Sequence, residues 1–236
     1  MEDTLCIHPR FCGPDNAGNG GYTAGLAAAP LGPRASVTLR APAPLDTPLT
    51  RHVTAGGVAL RNGDTLIAEA VRAAPAIDLG EVPRVAPEGG PPVLGRDAHF
   101  FPRCFVCGPD RAAGDGLRIM PSASATRPGV VATRWIPDGE SPGSPVPAEF
   151  VWAALDCPSG WSLFVDRATI EPVVLGRLTV HLVDAVAAGR PYTIVGWHRG
   201  QQGRKRFAGS AIVDGDRVVA LAEALWIRVN AAAWVA

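Results

Sequence analysis

A chain of 236 residues with 22 basic and 22 acidic side chains carries no net charge, which removes any global draw toward nucleic acid or an anionic membrane surface. No apolar run approaches the roughly 18 residues of a membrane-spanning helix, and the acidic start Met1-Glu2-Asp3-Thr4 lacks a signal-peptide pattern. The five cysteines are odd in number and scattered, which reads as free thiols in a reducing cytoplasm. The length allows one large domain or two of about 100 residues each.

Residues 1–18 are rich in Pro, Gly, Asn and Asp and read as irregular chain. Residues 19–29 form a glycine-rich helix of low intrinsic propensity, which only packing would hold. Residues 35–41 alternate as a strand, and residues 48–60 supply one or two more. Asn62-Gly63 is a strong hairpin turn, with residues 64–72 leaving it as a strand. The proline- and glycine-rich residues 75–98 read as an extended linker.

Beyond the linker, residues 117–120 and 130–135 read as strands. Residues 148–165 carry the main helical signal, with Pro158 expected to kink or break the helix just after Asp156. Four strands then follow at 176–183, 192–198, 206–213 and 217–229, joined by short turns. A consecutive antiparallel sheet keeping one face on a helix is an α+β layer.

The order helix, strand, hairpin thus occurs twice. The first copy opens on Asn19-Gly20-Gly21; the second carries Asp156 within its helix. Glycines kept in one copy and a carboxylate in the other point to one composite site between two pseudo-equivalent halves.

Cys104-Phe105-Val106-Cys107-Gly108-Pro109 running into Gly116-Leu117-Arg118-Ile119, followed by the step Leu155-Asp156, resembles the hotdog-fold acyl-CoA thioesterases, in particular their phenylacetate-type branch. That family carries His-Gly-Gly at the helix start, where this chain has Pro147-Ala148-Glu149 in one half and Asn19-Gly20-Gly21 in the other. The resemblance covers residues 99–229 and, more weakly, 11–72. It implies a double hotdog: a truncated half over 1–74, a linker over 75–98 and a complete half over 99–236, with antiparallel sheet wrapped around a long central helix in each half.

It also implies an activity, hydrolysis of an acyl-CoA or acyl-carrier thioester, and a homodimer. Gly20 and Gly21 would offer backbone N–H groups to the thioester carbonyl at the positive end of a helix, Asp156 would act as general base or as nucleophile, and Asn19 would orient the thioester or a water. The mirror arrangement of Pro147-Ala148-Glu149 and Ala28 would be inert. Trp152 and Trp161 would bound the acyl pocket, and Arg204, Lys205 and Arg206 would meet coenzyme A phosphates. No metal and no cofactor beyond the coenzyme A of the substrate is expected: Cys104 and Cys107 have a zinc-like spacing, but a structural site needs about four ligands, and Cys157 and Cys12 are remote in sequence.

Two alternatives stand beside this. A non-catalytic acyl-thioester-binding protein on the same fold would explain the missing histidine. A hotdog enoyl-CoA hydratase would use the spacing Asp3-x4-His8. Glu223, on a strand face with Leu221, Leu225 and Ile227, needs a partner such as an arginine if it is buried.

Overall fold

A computed structural model describes residues 1–87, 89–165 and 171–230. The first half runs β1 (Glu2–Cys6), α1 (Gly20–Ala28), β2 (Arg34–Leu39), β3 (Pro48–Thr54), β4 (Gly57–Asn62) and β5 (Thr65–Arg72). The second runs β6 (Ser122–Ala123), β7 (Val130–Trp135), α2 (Ala148–Trp161), β8 (Val173–Leu182), β9 (Tyr192–Gln202), β10 (Lys205–Asp214) and β11 (Arg217–Arg228). Among the described residues, eleven strands form one continuous antiparallel sheet in the order β1-β3-β4-β5-β2-β8-β11-β10-β9-β7-β6.

The seam is the pairing of β2 with β8, where Val37 lies opposite Leu178 and Ser36 opposite Thr179. The two hydroxyls on that seam are 2.7 Å apart. Outward from it, β2-β5-β4-β3-β1 on one side matches β8-β11-β10-β9-β7 on the other. This is the internal pseudo-twofold that the repeated sequence pattern anticipates.

The helices meet on the same axis. A side chain at Gly21 would place its Cβ 2.5 Å from Asp156 Cβ and 2.9 Å from Ala153 Cα. One at Gly25 would come within 2.6 Å of Glu149 Cα. The two glycines, one helical turn apart, let α1 lie backbone to backbone on α2. That contact and the sheet beneath hold a helix whose glycines disfavour it in isolation. Ala24, Ala27, Ala153 and Ala154 of the helices are buried in one core with Ala35, Ala68, Ala208 and Ala222 of the sheet.

Several expectations are corrected. The α-helices are short, nine residues in α1 and 14 in α2, and a single sheet serves both. The first half does have an opening strand: β1 pairs along its whole length with β3, so residues 2–6 are not irregular. Residues 117–120 form no strand; Arg118 has φ 52°, and the segment instead hangs from Phe105 and Val106 through the amides of Leu117 and Ile119. The helix α2 continues through Pro158 to Trp161. Its contacts with α1 and with β8 to β11 outweigh one missing backbone donor.

The linker is no free spacer. Ile77 and Val82 are buried against Val195, Trp197, Ala211, Val213 and Leu221 on the sheet face opposite α2. The Ala76 amide donates to Glu223 Oε2 at 3.0 Å, and Arg199 pairs with Glu223 Oε1 at 2.9 Å. Residues 206–213 and 217–222 are nearly unbroken in apolar and small side chains because this part of the sheet is covered on both faces.

Candidate active site

Asp156 sits on the buried side of α2, only 2% exposed. Its Oδ2 accepts from the Gly21 amide at 2.9 Å and from Asn19 Nδ2 at 3.1 Å. Asn19 is the N-cap of α1: its Oδ1 accepts from the Tyr22 amide at 2.9 Å, which turns Nδ2 toward Asp156. The same Nδ2 is 3.8 Å from Cys104 Sγ. Burial pushes the Asp156 carboxyl up to about 7, against the lowering effect of the Gly21 amide and the Asn19 side chain.

Asn19, Cys104 and Asp156 line a cavity of about 310 Å³. Its apolar wall includes Leu39, Phe100, Trp161, Phe164, Leu175 and Trp226. Three buried polar atoms on cavity-lining residues have no hydrogen-bond partner among the described residues: Asp156 Oδ1, Thr23 Oγ1 and His99 Nε2. Buried polar groups are rarely left unpaired, and unpaired ones on the residues of an apolar cavity mark a candidate ligand site. The Gly20 amide, also at the cavity, finds no protein acceptor among the described residues.

Of the residues singled out in the sequence, Asn19, Gly20, Gly21 and Asp156 come together, although 135 positions separate Gly21 from Asp156. Trp161 is in the cavity wall; Trp152 is not, and instead packs at the helix contact beside Gly25. Arg204 and Lys205 are exposed near the β9–β10 turn and outside the cavity lining. Arg206 is 5% exposed, donating to the Gly203 carbonyl at 2.7 Å and pairing with Glu171, so its guanidinium is held by the fold. A basic side chain that does line the cavity is Arg40, paired with Glu69 at 2.7 Å.

The mirror positions carry no equivalent pair. Pro147, the N-cap of α2, makes no side-chain cap, and Phe150 there joins Phe11, Tyr22 and Phe105 in an aromatic cluster. Asp3 pairs with Arg51, whose guanidinium also donates to the Leu26 carbonyl of α1 at 2.7 Å, and His8 Nδ1 accepts from the Arg10 amide. Neither Asp3 nor His8 lines this cavity.

The sequence sets Cys157 apart from the Cys104–Cys107 pair; the fold brings it beside them. Cys157 follows Asp156 on α2 and brings its sulfur 3.8 Å from Cys104 Sγ. With Cys107 it makes a buried triad whose sulfurs all lie within 4.8 Å of one another in the cavity wall. The sequence spacing of Cys104 and Cys107 was the available signal; the nearness of Cys157 was not legible without the helix contact.

No protein-family model matches the sequence, and a search of curated proteins gave no match. Solved structures do match over nearly the whole chain. A conserved protein with hotdog fold from Alicyclobacillus acidocaldarius has a TM-score of 0.61 and 12% identity, covering 97% of this chain and 93% of the other. The tesB protein of Mycobacterium avium subspecies paratuberculosis has a TM-score of 0.59 and 15% identity, covering 97% and 93%. Acyl-CoA thioesterase II of Mycobacterium marinum has a TM-score of 0.53 and 13% identity, covering 90% of each chain. The chain therefore has the hotdog fold. Among the described residues, no helix is long and apolar enough to cross a membrane.

Proposed function

We propose that the cavity hydrolyses an acyl thioester of coenzyme A or of a carrier pantetheine at one composite site between the halves. The observation that carries this reading is the Asp156 carboxylate: one oxygen is fixed by donors from the opposite half, and the other is buried without a partner on an apolar cavity. The thioesterase names of hotdog structures with matching length support it.

In this reading the thioester carbonyl lies at the start of α1. The unengaged Gly20 amide and the positive end of the helix take the charge that develops on its oxygen. Gly21 serves differently from the sequence expectation, because its N–H already donates to Asp156. Asp156 Oδ1 accepts a proton from water as the water oxygen bonds to the carbonyl carbon. The C–S bond then breaks, and the proton passes to the leaving thiolate. Asn19 and Gly21 hold the carboxylate in place.

A cavity of about 310 Å³ is at the small end of ligand pockets. It suits a compact aliphatic or aromatic acyl group better than a long lipid chain. The test is thiol release from an acyl-CoA panel graded in chain length and including an aryl member. Turnover on compact substrates, declining as the chain outgrows the cavity, supports the reading. Stoichiometric binding of acyl-CoA without turnover would instead make this a non-catalytic binding protein, a reading that Asn19, standing where the resembled family has histidine, favours.

A further inference from the structure

We propose that Cys104, Cys107 and Cys157 form a three-thiolate binding site for a thiophilic d¹⁰ divalent cation, zinc above all, with its fourth position open to the cavity. In a tetrahedral zinc site with Zn–S distances of about 2.3 Å, the sulfurs are roughly 3.8 Å apart. The Cys104–Cys157 separation is 3.8 Å, and all three sulfurs fall within 4.8 Å of one another.

The segment that carries two of the ligands is shaped for it. The Gly108 amide closes the turn on the Cys104 carbonyl at 2.9 Å. A Cβ at Gly108 would lie 2.5 Å from that carbonyl oxygen and 2.6 Å from the Cys104 nitrogen, so the turn excludes any side chain there. Phe105 N–H bonds to the Cys12 carbonyl at 2.7 Å and the Ile119 amide to the Val106 carbonyl at 2.8 Å, which fixes the turn against the first half. The third ligand then arrives from α2.

His99 is a neighbour of another kind. Its Nδ1 accepts from the Phe101 amide at 3.1 Å, which places the ring proton of the neutral form on Nε2. In that tautomer Nε2 is a hydrogen-bond donor and not a ligand. The three cysteines all line the cavity, so a cation can enter, and a solvent or substrate group can complete its shell. A disulfide is the competing use of these thiols, but it can join only two of the three.

The site stands independently of the hydrolytic reading. Its test uses the full-length protein, purified under reducing conditions and stripped of metal, then given equimolar Co²⁺. A folded protein that shows thiolate-to-cobalt charge-transfer absorption, intense tetrahedral d–d bands, and loss of both on adding zinc bears the proposal out. Zinc should also protect three of the five cysteines from a thiol reagent. Cys157→Ser and Cys107→Ser should each weaken cobalt binding by roughly 10–100-fold or more, while Cys6→Ser, at an exposed position, leaves it unchanged. Asp156→Asn should retain the cobalt spectrum, which separates this site from the fate of the proposed hydrolysis. If a triad variant does not fold, the wild-type spectrum and thiol count decide alone. A folded wild type with no charge-transfer band and thiol reactivity indifferent to zinc overturns the proposal, as does a Cys104–Cys157 disulfide forming in a protein that takes up no metal.

Discussion

The Gly21 amide donates to Asp156 Oδ2 at 2.9 Å across the place where α1 and α2 touch. One residue therefore sets both the helix separation and the position of the carboxylate. Gly21→Ala would drive a methyl group to 2.7 Å from the Trp152 carbonyl oxygen and 2.9 Å from Ala153 Cα, both backbone atoms. We expect a loss of about 1–3 kcal/mol by denaturant unfolding, the usual cost of overpacking. Gly20→Ala meets only side-chain atoms of Leu175 and Leu39, at 3.1 and 3.2 Å. Its stability should change by well under half of that, and equal losses at the two positions would contradict the packing role given to Gly21.

Asn19 performs two tasks that substitution can separate. Its Oδ1 caps α1, and its Nδ2 donates to Asp156. Asn19→Ala removes both, and unfolding should show a loss of about 1 kcal/mol from the cap. Asn19→Asp keeps a good cap but replaces the donor to Asp156 by a second carboxylate. It should cost more than the alanine variant in thiol-release activity while preserving the helix cap, as judged by amide exchange at Tyr22. An aspartate variant as active as wild type would remove Asn19 from any role toward the carboxylate.

The linker gives a purely structural prediction. Ile77 is 4% exposed beneath the sheet face that carries Trp197. Ile77→Ala should destabilise the protein by about 2–5 kcal/mol in chemical denaturation, as for other buried truncations. A neutral outcome would mean that residues 75–82 behave as the free spacer their composition suggests.

That contrast shows what the residues disclose. Asp156 and Asn19-Gly20-Gly21 are legible because they stand at complementary positions of the two repeats, which the contact of α1 with α2 brings together. The second-half strands were legible from alternation and turn residues. Strand β1 was not, because a short edge strand at a chain end has little pattern and depends on its pairing with β3. Pro158 misled in the same way: local propensity argues for a break, and burial of α2 between sheet and α1 overrides it. The thiol triad and the covering linker rest on contacts between remote segments, which no local window contains.

The most direct test of the composite site is the steady-state thiol release of wild type, Asp156→Asn and Glu149→Gln on one compact acyl-CoA. Asparagine can keep the hydrogen bonds from Gly21 and Asn19 through its carbonyl oxygen, so the fold should survive while proton acceptance is lost. We expect kcat to fall by roughly 10²–10⁴-fold for Asp156→Asn, the scale of general-base catalysis, with Glu149→Gln, at the start of α2 where the other half has Gly21, close to wild type. Equal turnover in a folded Asp156→Asn protein, or an equal loss from Glu149→Gln, would contradict the assignment of one active carboxylate to the contact between the halves.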